Sequence, residues 1–71
     1  MNPEVRLENG GQILHCTDEH GWRQAMVWTD CGEPGEAAFV AGDGQVAVRL
    51  RNGKTALYDA SPGRLELLSV S

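Results

Sequence analysis

The sequence predicts an all-β fold: a small open barrel of about five antiparallel strands, in one domain spanning residues 1–71. Three observations lead there. Apolar and polar residues alternate over short stretches, the period of a half-buried strand. Asn-Gly and Gly-rich corners separate those stretches, and such corners favour hairpins. No window of about eleven residues or more is free of Gly and Pro and also keeps a helical apolar stripe.

The elements follow in chain order. Val5-Arg6-Leu7 meets Gln12-Ile13-Leu14 through Asn9-Gly10-Gly11, where Asn and Gly accept positive φ. The strand from Gln12 runs to about Thr17, and Asp18-Glu19-His20-Gly21 reads as a turn. Trp22 to Thr29 is the next strand. Trp22, Gln24, Met26 and Trp28 fall on one face, and Arg23, Ala25, Val27 and Thr29 on the other. Asp30-Cys31-Gly32-Glu33-Pro34-Gly35 is a loop by composition. Glu36 to Ala41 is a short strand that turns at Gly42-Asp43-Gly44. Gln45 to Arg51 places Val46, Val48 and Leu50 on one face and Gln45, Ala47, Arg49 and Arg51 on the other. Asn52-Gly53 is the clearest hairpin signal, and Lys54 to Asp59 returns from it. Ala60-Ser61-Pro62-Gly63 is a turn with room for one turn of 3₁₀ helix, and Arg64 to Val70 is the last strand. Five to seven short strands at this spacing suit a small barrel or sandwich, and closure removes sheet edges that would aggregate. Val5-Arg6-Leu7-Glu8-Asn9-Gly10 echoes Val48-Arg49-Leu50-Arg51-Asn52-Gly53. Two copies of hairpin chemistry explain that without a solenoid.

The chain has 71 residues and a net charge of −4. Residues 1–36 hold two arginines against seven carboxylates, a net −5; residues 37–71 hold four basic side chains against three, a net +1. Free nucleic acid is a poor default partner for such a chain, because binding it rests on neutralising phosphates. The uneven halves point to self-association. No apolar run has the length of a membrane span. Met1-Asn2-Pro3-Glu4 lacks the basic start and apolar stretch of a secretory signal. A cytoplasmic location follows as the expectation, and there Cys16 and Cys31 stay reduced.

Gly21-Trp22-Arg23-Gln24-Ala25-Met26-Val27, then Val48-Arg49-Leu50-Arg51-Asn52-Gly53-Lys54, then Leu65-Glu66-Leu67-Leu68 resemble the SH3-like small barrels of the Tudor and chromo-barrel type. The resemblance covers roughly residues 12–69 and implies an SH3-like open barrel. Readers of methylated side chains in that family build a cage of aromatics around the cation. Here Arg23 stands where the family often has an aromatic, and the Asn52-Gly53 turn carries none. The plasmid-borne type II dihydrofolate reductases look similar in overall pattern. Their active-site Val-Gln-Ile-Tyr strand corresponds to Thr55-Ala56-Leu57-Tyr58, with Ala56 in place of the functional glutamine. That activity is not carried over.

Few residues suggest chemistry. His15, Cys16, His20 and Cys31 are the metal-ligand types present, but zinc needs four convergent ligands, and adjacent His15 and Cys16 point to opposite faces. No metal and no cofactor are expected. A Cys16–Cys31 disulfide, worth about 3 kcal/mol, is not expected in a reducing compartment. A cysteine nucleophile needs a positioned base and an orienting group; His15 and His20 are near in sequence, but no orienting acid or oxyanion donor can be inferred. Gly42-Asp43-Gly44 precedes a strand, so it is a hairpin turn and not a phosphate loop.

The face of Trp22, Met26 and Trp28 has two readings. Large aromatics usually enter the core, and at least one tryptophan is expected there. If Ala25 and Val27 are buried instead, the Trp/Met face is left outside as an interface. Arg49, Arg51 and Lys54 form either a solvated edge or a basic finger. The expectation is a non-enzymatic binding module acting through protein–protein contact, including a homodimer, with no membrane partner. Trp22, Met26, Trp28 and Tyr58 are its candidate binding residues, joined by Arg49 and Arg51. Nucleic-acid binding through the Arg49/Arg51/Lys54 hairpin is the alternative.

Overall fold

The computed structural model describes residues 4–19, 21–42, 44–60 and 63–71. Seven strands and one short helix follow one another: β1 (Glu4–Glu8), β2 (Ile13–Asp18), β3 (Gly21–Met26), α1 (Val27–Cys31), β4 (Gly35–Gly42), β5 (Gln45–Leu50), β6 (Thr55–Asp59) and β7 (Glu66–Val70). The strands pair antiparallel in two sheets, β1-β2-β3 and β4-β5-β6-β7. The fold is all-β. The expected count of about five strands is corrected to seven among the described residues, in two sheets without a closed barrel. The division has a local cause. The chain leaves the extended conformation at Val27, so α1 stands between β3 and β4 and their ladders do not join.

The two Asn-Gly corners differ. Asn9 and Gly10 both have positive φ, 54° and 68°, as a type I′ turn requires, and the Gly11 amide donates to the Glu8 carbonyl at 3.2 Å. At the second corner only Gly53 has positive φ, 89°, and its amide donates to the Leu50 carbonyl at 3.0 Å. Arg51 and Asn52 are therefore the central residues, and Gly53 follows in the left-handed region, the three-residue form of hairpin. The expected turns at Asp18–Gly21, Gly42–Gly44 and Ala60–Gly63 include His20, Asp43, Ser61 and Pro62, which lie outside the described residues.

Alternation decides the core. Val46, Val48 and Leu50 of β5 are buried as expected. They pack with Leu14, Cys16, Ala25, Val27, Ala56 and Tyr58 in one cluster. Burial of each aliphatic side chain contributes about 1.5–3 kcal/mol. Ala47, on the outward row of β5, is also buried, with Phe39 and Leu57 as its cross-strand neighbours.

The sheets meet where β1 lies against β4. The Gly35 amide donates to the Gly11 carbonyl at 2.7 Å across this junction, and within the second sheet the Arg51 amide donates to the Pro34 carbonyl at 3.1 Å, continuing the β4–β5 pairing. Among the described residues no helix is long and apolar enough to cross a membrane.

Candidate functional site

The candidate surface is built on β3. In its register with β2, Trp22 stands opposite Thr17, Gln24 opposite His15 and Met26 opposite Ile13. These six side chains share the outer face. Arg23 opposite Cys16 and Ala25 opposite Leu14 share the inner one. Ala25 and Val27 are buried, whereas Trp22 is 64% exposed, Met26 50% and Trp28 51%. The expectation of a tryptophan in the core is thereby corrected. The inward positions go to Arg23, Ala25 and Val27, and parity sends the indole of Trp22 outward.

Trp28 is not on a strand. The expected strand Trp22–Thr29 ends at Met26, and Val27–Cys31 forms α1. The Trp28 amide donates to the Gln12 carbonyl at 3.2 Å, which holds the helix start against the β1–β2 loop. Gly32 ends the helix in the left-handed conformation, φ 73°, and its amide donates to the Trp28 carbonyl at 2.9 Å.

Trp22 is held by its neighbours. Its ring stacks on His15 with centroids 5.7 Å apart and planes 6° from parallel. This is a diagonal cross-strand pair. His15 Nε2 lies 3.1 Å from Thr17 Oγ1, and His15 Nδ1 lies 3.8 Å from Glu8 Oε1. Arg6 Nε donates to Glu8 Oε2 at 3.1 Å. Arg6, Glu8, His15, Thr17, Trp22 and Gln24 line an open, shallow groove.

Beneath this face, the buried Arg23 pairs with Asp18 and donates to the Ala60 carbonyl at 2.9 Å. Its Nη2 also lies 3.8 Å from Cys16 Sγ. Sequence reasoning gave this ion pair no role. Its signal was hairpin parity, since Asp18 and Arg23 both fall on the inner face.

Tyr58 does not join the surface. Its ring is fully buried, and its hydroxyl donates to Asp30 Oδ2 at 2.9 Å with Cys31 Sγ at 3.7 Å. Its place as a surface binding residue is corrected: inward parity on β6 makes it a tie between β6 and α1. Burial first, then Cys31 and Asp30, push the Tyr58 hydroxyl well above its ordinary pKa. Burial, helped by Asp30, raises the Cys31 thiol, against the lowering contribution of the Tyr58 hydrogen bond. Cys16 and Cys31 are both free, and Cys16 is buried. Among the described residues, no three His, Cys, Asp or Glu side chains gather into a metal site.

Arg49 and Arg51 belong to the other sheet and its hairpin, away from the Trp22 face in the topology. Arg49 is exposed opposite Ala37 and Thr55. Arg51 Nη2 donates to the Gly10 carbonyl at 3.3 Å. Phe39, Val40, Leu68 and Val70 are further exposed apolar residues that sequence reasoning did not single out. Phe39 was legible by parity, because its neighbour Ala38 packs against the core. Comparisons with protein-family models, curated proteins and solved structures give no match for this chain.

Proposed function

We propose that the chain is a non-enzymatic protein-contact module that also associates with itself, working through the outer face of β3 and the start of α1. The observation that carries this is the exposure of Trp22, Met26 and Trp28 while Arg23, Ala25 and Val27 fill the inward positions. Single exposed apolar side chains are ordinary. Three large ones lie exposed within positions 22–28, and exposed apolar side chains concentrated on one segment supply the material of a contact surface. Trp and Met are enriched in interface cores, and Trp at hot spots. Stacking on His15 already restrains the Trp22 ring, so less side-chain entropy is lost when a partner covers it.

The acidic balance favours a protein partner over nucleic acid. The Arg51 guanidinium rests on the Gly10 carbonyl, and no aromatic stands between Arg49 and Lys54, which leaves the basic-finger alternative with little support. Two further contacts favour an SH3-like reading of the fold. β1 lies against β4, and Arg23 ties β3 to the end of β6, so the two sheets curl about one core.

The test is sedimentation of the wild type beside Trp22→Ala and Trp28→Ala. Association that rises with concentration, and that weakens in either variant while the far-UV circular dichroism stays native, supports the proposal. A wild type that stays monomeric to about 1 mM removes self-association.

A further inference from the structure

We infer that a second copy of this chain pairs with the open edge of β3, antiparallel and two-fold about Gln24, so that two three-stranded sheets become one. This rests on the contact surface proposed above and gives it an occupant and a register.

The register with β2 fixes which backbone groups are available. Two residues connect Asp18 to Gly21, so that pair is hydrogen-bonded, as the closing pair of a two-residue hairpin is. Bonded and non-bonded pairs then alternate. Arg23 and Ala25 turn their N–H and C=O groups toward β2; Trp22 and Gln24 turn theirs away, as Met26 does its N–H, while the Met26 carbonyl, at the N-cap, begins the hydrogen bonds of α1. Among the described residues, no hydrogen bond outside the ladder reaches the amides of Trp22, Gln24 or Met26. The pairing of β3 with β2 has no bulge.

The other edges are blunted. β1 and β4 lie against each other. β4 carries two register shifts against β5, and β7 one against β6, which twist an edge away from a new strand. β3 does contain an inward charge, a common guard against pairing. Arg23, however, is already held by Asp18 and Ala60 from within, and a strand added outside leaves both contacts intact.

The edge is complementary to itself. A two-fold axis at Gln24 sets Gln24 opposite Gln24 of the second copy, and Trp22 opposite its Met26. The parity needed for bonded pairs is met, with two bonds at Gln24 and one at each Trp22–Met26 pair, from the Met26 N–H, because α1 uses the Met26 carbonyl. Sulfur against an aromatic ring is a favourable pair. None of the three outward side chains is charged, so two chains of net charge −4 meet here without opposed like charges. A six-residue edge is smaller than the roughly 800 Å² per partner of a standard stable interface, so the dimer is expected to be micromolar or weaker.

The test is sedimentation equilibrium of the full chain from about 10 μM to 1 mM, with two changes at Gln24. Gln24→Lys sets two ammonium groups face to face on the axis. The dimer constant is expected to weaken about tenfold or more at low salt and to recover partly at high salt. Gln24→Pro deletes an outward N–H and no bond to β2, so it is expected to fold and to stay monomeric; if it does not fold, Gln24→Lys alone decides. A dimer indifferent to both changes overturns the inference. If that dimer is still lost in Trp22→Ala, the contact surface stands and the edge pairing falls. A wild type monomeric throughout overturns the inference too, even where the edge takes an extended peptide from another protein.

Discussion

The Gly35 amide donates to the Gly11 carbonyl at 2.7 Å, and at this point the first hairpin is fastened to the second sheet. Neither residue has room for a side chain. A Cβ on Gly11 meets the Gly35 carbonyl oxygen at 2.0 Å; one on Gly35 meets Val48 Cγ1 at 2.7 Å and Leu7 Cδ1 at 3.0 Å.

A graded series of alanine substitutions follows. Gly11→Ala has to displace backbone and also holds φ at +90°, so a loss of about 4 kcal/mol or more, or failure to fold, is expected. Gly35→Ala pushes on side chains that can shift, at about 1–3 kcal/mol. Gly10→Ala has open space and pays only for its positive φ, about 1–2 kcal/mol. Urea unfolding ranks the three, and a Gly11→Ala protein as stable as Gly10→Ala contradicts the joint.

Arg23→Ala removes the guanidinium that pairs with Asp18 and bonds the Ala60 carbonyl inside the protein. A loss of about 3–5 kcal/mol is expected, as for one partner removed from a buried pair. Replacing both charges, Arg23→Met with Asp18→Asn, recovers part of it. If the single change costs no more than the double, the ion pair is not holding β3.

Alkaline pH weakens the tie between β6 and α1. Cys31 and Tyr58 both ionise later in the folded chain than in the unfolded one. Below their ordinary values both groups are neutral in both states, and their contribution is constant. As pH rises past about 9 the unfolded chain releases protons that the folded chain keeps, so stability falls, first through Cys31 and then through Tyr58. Tyr58→Phe removes the hydroxyl's share of that fall above about pH 10 and costs about 1 kcal/mol at neutral pH through the lost bond to Asp30. Urea midpoints across pH for the two proteins check this. An unchanged alkaline slope in Tyr58→Phe contradicts it.

Where two readings of a side chain differ by parity alone, the sequence was legible. Val46, Val48 and Leu50 alternate with Arg49 and Arg51, and one face had to be apolar. On β3 both faces carried apolar residues, so parity left the choice open; the small size of Ala25 and Val27 beside a thin core settles it after the fact. The helix was hidden by its length. Five residues are too few for a 3.6-residue stripe, and Met26 caps it without a side-chain hydrogen bond. Its one signal lies at the far end, where Gly32 and then Pro34 form a helix stop whose composition is equally that of a loop. Val27 is buried on either reading, which is why strand parity held up to the residue before Trp28.

Amide hydrogen exchange along β3, at low and high protein concentration, is the sharpest check on its role as a self-pairing edge. Arg23 and Ala25, bonded to β2, are expected to exchange slowly at both concentrations. Gln24 and Met26 are expected to exchange fast when dilute and to become protected when concentrated. A dilute pattern that does not alternate, or Gln24 and Met26 amides that stay fast at about 1 mM, contradicts it.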